Sequence, residues 1–383
     1  MWRSLASNLL TLLVVLLFSA GGALLWGKAE YAGPGPLEQA ICLQVKSGTN
    51  MNAVSRELVA KDAVSSGTIF RIGARYSDKA NRLKAGSFLI DEGASMEQIV
   101  DQITRGGAST CGTEIVYRVG IARTNVQVRE LDPATEEFVT RADFNLADEE
   151  KPEVYATKLS ESDTRYRITM AEGVTSWQVV QALNSMEMLT GEIAVQPTEG
   201  TLAPDNYEIE AGTERAALVE KMLSEQSVRI AEAWAGRNAD LPISTPEEML
   251  ILASIIEKET GIAEERRLVA SVFVNRLNRG MRLQTDPTVI YGITKGKGIL
   301  GRGLRQSELR KVTPWNTYVI DGLPPTPIAN PGLASLKAAV NPEDSNFVFF
   351  VADGTGGHAF AATLQEHNRN VAKWREIEAQ RDN

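Results

Sequence analysis

Residues Leu9 to Trp26 read LLTLLVVLLFSAGGALLW, an uncharged run of 18. As an α-helix such a run spans about 27 Å, close to a hydrocarbon core of ~30 Å, so it is expected to cross a membrane once. A cleaved signal peptide is the alternative, because Ser19-Ala20-Gly21-Gly22-Ala23 offers small residues to a peptidase. The apolar run continues past them through Leu24, Leu25 and Trp26, and tryptophan favours the interface, which favours an anchor. Residues 1–8 are then a short cytoplasmic tail, 9–26 the span and 27–40 a linker marked by Gly33-Pro34-Gly35-Pro36. Arg3 before the run, against Lys28 and Glu30 after it, is a weak positive-inside signal that places the remainder outside the cytoplasm. No second run of this kind follows, so the rest is expected to be a water-soluble body on one tether.

That body is long enough for two or three domains, and 43% hydrophobic with 23% charged residues is a folding composition rather than a disordered one. Forty basic against 49 acidic residues give a net charge of −9, the wrong sign for a general nucleic-acid binder. Two histidines and two cysteines cannot supply a zinc finger, an iron–sulfur site or a histidine-rich metal centre, although an all-oxygen site stays open. Cys42 and Cys111 either pair, closing a loop worth roughly 4 kcal/mol in the chain-entropy model, or are two buried thiols.

Three stretches share one pattern of strand, glycine turn and helix: LQVKSGTNMNAVSREL, FLIDEGASMEQIVDQI and ITMAEGVTSWQVVQAL. Two residues after each glycine (Gly48, Gly93, Gly173) stands Asn50, Ser95 or Thr175, each able to cap a helix by accepting an orphan N–H. Val54 and Leu58, Ile99 and Ile103, and Val179 and Leu183 then fall on one helical face. The pattern fits true repetition and also the ordinary grammar of any strand–turn–helix unit. Residues 41–107 read as a strand–helix–helix–strand unit, with a helix at 68–76 and a return strand at 85–90, and resemble the LysM class of glycan-binding module. Residues 108–167 form a β-rich insertion in which EIVYRVGI, NVQVREL and EEFVTRADF alternate at period two.

Chemistry concentrates beyond Ser244. Thr245-Pro246-Glu247-Glu248 is a helix start, and MLILASIIEKETG continues it to a stop near Gly261. This helix is apolar nearly all round and should be buried. Glu257 ends it on a face where Ala253 and Ser254 are small and leave room beside it. Burial disfavours a charged carboxylate, the condition for a general acid, and this is the expectation for Glu257. Pairing with Arg266 or Arg267, or exposure by fraying, is the structural alternative. Glu259, Glu264 and Glu265 are expected at a solvated helix end. A second helix, 264–279, turns Leu268, Val269, Val272, Phe273 and Leu277 inward and is interrupted by Asn275 and Arg276. Gln284, Thr285 and Asp286 crowd a turn fixed by Pro287, and a proline-rich loop carries Trp315, Asn316 and Tyr318. Flat aromatics beside amides and carboxylates suit sugar rings, and also ordinary core packing.

The run LASIIEKETGIAEERRLVASVFVNRLNRGMRLQTDPTVIYG, with PWNTYVIDGLPPTPIANPGLASLKAAVNP and FVFFVADGTGGHAF after it, closely resembles the endolytic murein transglycosylases of the YceG-like family. Upstream, AGSFLIDEG and EGTLAPDNYEI follow that family's order of anchor, LysM-like subdomain and catalytic domain, whereas 113–167 departs from its shorter members. The resemblance implies an α+β fold: the transmembrane helix, the LysM-like subdomain, and a mainly helical catalytic domain at 168–383 (core 244–383) with minor strands, a last one at 347–351. It implies a single-pass protein of the bacterial inner membrane whose catalytic domain faces the periplasm and cuts the β-1,4 bond between N-acetylmuramic acid and N-acetylglucosamine in nascent strands. Glu257 would be the catalytic acid and base, and Asn275, Gln284, Asp286, Asn316, Tyr318 and His358 would line the glycan groove. No cofactor is expected, since acid–base cleavage needs none, and wall-synthesising penicillin-binding proteins are the implied partners besides the glycan. A muramidase that adds water, with Asp286 as its second carboxylate, is the alternative enzyme, and an inert glycan-binding scaffold the alternative from another class.

Overall fold

Glycine turns and polar caps set where the elements begin. Asn50, Ser95 and Thr175 each accept a backbone N–H at the head of a helix, and Gly48, Gly93 and Gly173 take the positive φ angles 78°, 65° and 76° that their turns require. The residues expected on the inner faces, Val54, Leu58, Ile99, Ile103, Val179 and Leu183, are all buried. The computed structural model describes residues 2–106, 109–161 and 163–381, the side chains of 2–7 and 381 excepted. Met1 and the Arg3 side chain on which the orientation argument leaned lie outside the described residues, as do Gly107 of the LysM-like span and Ala108 and Ser162 of the insertion.

In chain order the elements are α1 (Trp2–Ala32), β1 (Ile41–Val45), α2 (Met51–Ala60), α3 (Gly67–Tyr76), β2 (Gly86–Ile90), α4 (Met96–Arg105), β3 (Thr113–Val119), β4 (Thr124–Asp132), β5 (Glu137–Asn145), α5 (Glu153–Leu159) and β6 (Arg165–Met170). There follow α6 (Ser176–Asn184), β7 (Asn206–Ile209), α7 (Arg215–Ala235), α8 (Pro246–Glu259), α9 (Arg266–Asn278), α10 (Asp286–Thr294), α11 (Gln306–Leu309), α12 (Leu333–Val340), β8 (Phe349–Ala352), β9 (His358–Ala361) and α13 (Leu364–Arg381). Strands β3 to β7 are bonded in the order β5-β4-β3-β6-β7. The mixed helix and strand content fits the α+β expectation, while α5, β7, α7, α10, α11, α12, β9 and α13 were not individually foreseen.

The chain forms two compact units, the first comprising residues up to Val116 with 127–144 and 150–166, the second 117–126, 145–149 and 167 onward. In the first, β1 and β2 pair antiparallel from Ile41↔Ile90 to Val45↔Gly86, with α2 and α3 between them and α4 after, which is the strand–helix–helix–strand order expected. Leu43, Leu58, Phe70, Ile90, Ile99 and Ile103 are its fully buried core. Cys42 and Cys111 are joined, with Cα atoms 5.7 Å apart, so the pairing alternative holds.

Helix α1 is long and apolar enough to cross a membrane over Asn8–Ala32, with mean hydropathy 2.3. It outruns the expected span, and the stretch read as a linker is built into the first unit. Tyr31 packs on the core against Gly73, and Glu30 accepts from Ser65 Oγ at 2.5 Å. Gly35 donates to the Gly93 carbonyl at 3.0 Å and Gly93 donates to that of Leu37 at 2.9 Å. A side chain at Gly35 would strike the Ala94 carbonyl, which is why glycine stands there.

The second unit is organised on α8. Thr245 caps it, Pro246 opens it, and every residue from Met249 to Ile256 is buried, as its all-round apolar character predicts. Helices α9 and α12 pack on it, and Phe273 meets Phe350 edge-on at 6.0 Å.

Candidate functional site

Glu257 stands in the last turn of α8 and is only partly buried, while the helix before it is enclosed. The room that Ala253 and Ser254 were expected to leave is filled, since both are fully buried. Ser254 Oγ donates to the Ile251 carbonyl at 2.7 Å and accepts the Ile328 N–H at 3.0 Å, fastening the proline-rich loop over the helix. Small residues therefore serve close approach. They let the loop bring Gly332, the N-cap of α12, to Glu257, where its N–H donates to Oε2 at 2.9 Å. Oε1 accepts no hydrogen bond from the described residues.

A third segment arrives through Asn330, which is fully buried. Its carbonyl accepts from Gly173 N and its own N–H donates to Val174 O, both at 2.9 Å, while its side chain donates to Val174 O and accepts from Leu202 N. This lacing sets the Ala171–Val174 turn beside Glu257. A Cβ on Gly173 would lie 3.6 Å from Glu257 Cγ, and a Cβ on Gly332 would collide with Glu172 Oε1. Gly332 thus has one carboxylate hydrogen-bonded to its nitrogen and another lying over its α-carbon.

Burial, and next the charge of Glu257, push the Glu172 carboxyl above its usual range, with Arg266 opposing. Arg266 reaches Glu172 at 4.0 Å and Arg267 pairs with Glu343 at 3.3 Å, so neither arginine takes the role of partner to Glu257. Lys258 donates to the Gly173 carbonyl at 3.2 Å, and burial pushes its ammonium down while Glu257 and Glu199 hold it up. Glu199, from the EGTLAPDNYEI stretch, is buried, accepts from Ser176 N at 2.8 Å and from the Tyr291 hydroxyl at 3.2 Å, and is pushed up by burial.

Asp286, the expected second carboxylate, belongs to another cluster. It accepts the Tyr318 hydroxyl at 2.7 Å, and burial with that contact raises the phenol. Both lie around Glu259, which accepts from Thr285 Oγ1 and is pushed up first by burial, then by the charge of Asp286, with His358 and Arg276 opposing. His358 is held by Glu265, through Nδ1 to Oε2 and its own N–H to Oε1, both at 2.8 Å. Glu259 and Glu265 are therefore built into the unit instead of standing at a solvated helix end, whereas Glu264 is exposed as expected.

The two asparagines are loop holders. Asn275 donates to the Ser345 and Phe347 carbonyls, both at 2.9 Å. Asn316 is fully buried, donates to the carbonyls of Glu308, Leu309 and Lys311, and accepts from Tyr318 N, so it faces the inside of its loop and not a groove. Gln284 is exposed at a positive φ of 51°, its N–H on the Thr317 carbonyl. Sequence reasoning missed Glu172, Glu199 and Asn330. Glu172 carried a signal, since it precedes the turn glycine of the third repeat.

Comparison with known proteins places these segments in one family. The sequence model of the YceG-like family matches residues 43–131 and 112–373, and so runs through the β-rich stretch that was expected to depart from the family. A curated relative from Bacillus subtilis (strain 168), named endolytic murein transglycosylase, is 27% identical over 358 residues, covering 92% of this chain and 90% of its own. A relative of the same name from Streptococcus pneumoniae serotype 2 (strain D39) is 26% identical over 346 residues, 87% of this chain but 58% of its own length. A crystal structure of a yceG-like protein from Listeria monocytogenes aligns with a TM-score of 0.45 and 23% identity over 86% of this chain and 98% of that one. With the family match extending from residue 43 to residue 373 and taking in α8, the Glu172 turn and the loop that joins them, the chain belongs to the YceG-like family.

Proposed function

We propose that this protein is a membrane-anchored lytic transglycosylase that cuts peptidoglycan strands internally, with Glu257 as its acid and base. One observation carries this reading. Glu257 Oε2 is fixed by the Gly332 N–H while Oε1 remains available on a partly exposed side chain, the arrangement a proton donor needs. The names of the relatives supply the substrate class.

Glu257 protonates the oxygen leaving N-acetylmuramic acid at the β-1,4 bond. As carboxylate it then takes the proton of the C6 hydroxyl, which attacks C1 and closes a 1,6-anhydro ring, so no water is consumed. Glu172 acts as a positioning residue, its carboxyl, raised by burial and next by the charge of Glu257, lying over the α-carbon of the glycine that holds the acid. Gln284, Asp286, Tyr318 and His358 line the groove beyond, and Asn275 and Asn316 hold its loops. Helix α1 anchors the protein in the bacterial inner membrane with the catalytic unit on the periplasmic side, the LysM-like subdomain retains the strand, and wall-synthesising penicillin-binding proteins are its neighbours.

A muramidase is the second reading, because Glu172 provides the carboxylate beside Glu257 that an added water would require. Mass spectrometry of muropeptides released from purified peptidoglycan separates the two. Anhydro ends, lighter than reducing ends by one water, support lytic cleavage; reducing ends establish hydrolysis; no release leaves the scaffold reading.

A further inference from the structure

Behind Gly173 lies a cavity of about 300 Å³ that none of the roles above uses. Its walls are the Gly120–Thr124 turn, Asn145–Ala147 and the outer side of α6 with Trp177 and Gln181. It adjoins the acid: Ile121 Cδ1, on its wall, and Glu257 Cγ would each lie 3.6 Å from a Cβ placed on Gly173. The wall is preformed, since Gln178 Nε2 donates to the Ile121 carbonyl at 2.5 Å and Gly120 donates to the Arg123 carbonyl at 3.1 Å. Trp177 is half-buried, and Arg123 and Gln181 are exposed with side chains that make no hydrogen bond or ion pair among the described residues.

An indole beside an exposed isoleucine offers a flat apolar face, and a guanidinium and a primary amide stand at its rim. That combination matches a sugar ring bearing an acetamido group and a carboxylate: the ring face lies on the indole, the amide meets the acetamido group, and the guanidinium pairs with the acid. The volume is at the small end of ligand sites, enough for about one or two sugar units. We infer that this cavity is a subsite for an acidic N-acetylated saccharide of the strand, reached from the Glu257 end, with Trp177 as its platform and Arg123 as its anion contact. The inference rests on the proposed function. The carboxylate comes either from the lactyl ether of a peptide-free muramic acid or from a stem peptide.

Steady-state cleavage by the full chain in detergent micelles, with strands of increasing length, tests this. Trp177→Ala is expected to raise KM for octasaccharides about tenfold with kcat unchanged while leaving tetrasaccharide cleavage as in wild type, and Trp177→Phe to restore most of the loss. Arg123→Ala is expected to weaken acidic strands of that length as competitors of cleavage, but not neutral N-acetylglucosamine oligomers. An effect limited to peptide-free strands assigns the lactyl carboxylate, and one limited to peptide-bearing strands assigns the stem. Normal cleavage with unaltered length dependence in both variants overturns the subsite alone, whereas a wild-type chain that cuts no strand overturns the proposed function and the subsite with it.

Discussion

Gly332 donates its N–H to Glu257 Oε2 at 2.9 Å while the Glu172 carboxylate occupies the space over its α-carbon. Its φ of −75° suits any residue, so the glycine is required by that neighbour and not by the backbone. Gly332→Ala should therefore leave the melting temperature within a few degrees of wild type, because only the end of a flexible side chain must move. Cleavage should fall about 10–100-fold as the site is displaced by an ångström or so. Melting curves and muropeptide release measured on the same preparation check this, and unchanged release would show that the position of Glu172 does not matter.

Glu172→Gln removes a negative charge beside Glu257 without removing the acid. Anhydro products should persist at reduced kcat, and the part of the pH–rate profile that belongs to the raised Glu172 carboxyl should disappear. Complete loss of product in a folded variant would favour the hydrolytic reading, in which a second carboxylate is obligatory.

Glu199 is raised by burial above its ordinary value of 4.5. The folded chain then holds this proton more tightly than the unfolded chain, so the stability it contributes is complete below the ordinary value and declines as pH rises through the folded pKa. Glu199→Gln, which resembles the protonated form, should flatten the fall in melting temperature between mildly acidic and neutral pH. A pH dependence identical to that of wild type would contradict the assignment.

Docking of the C-terminal end of α1 on the first unit depends on Gly73, where a Cβ would run into the Tyr31 ring. Gly73→Val should displace that ring and expose 33–36 to protease in the full chain, whereas wild type should resist cleavage there. Equal cleavage of both would show a free linker.

Much of this arrangement was legible in residue patterns. The three capped helices, the buried α8 with Glu257 at its end and the β1–β2 unit all follow from local signals: turn glycines, capping side chains and apolar spacing. The carboxylate beside Glu257 was not legible, because Glu172 is 85 positions away in sequence and is carried to Glu257 by Asn330, whose role is visible only once its loop has closed. Local reading also placed Glu259 and Glu265 among charged neighbours in water, whereas α10 and β9 fold back to cover them through Thr285 and His358. Asn316 failed for the opposite reason. A polar residue in a proline-rich loop looks available to a ligand, yet buried backbone carbonyls must find donors, and its amide supplies them.

Muropeptide release from purified peptidoglycan by the full chain and by its Glu257→Gln variant is the most direct test. Anhydro-ended fragments from wild type, reduced at least about 100-fold in a variant with an unchanged melting curve, are the expected result. Equal release by both chains would contradict the assignment of Glu257 as the acid.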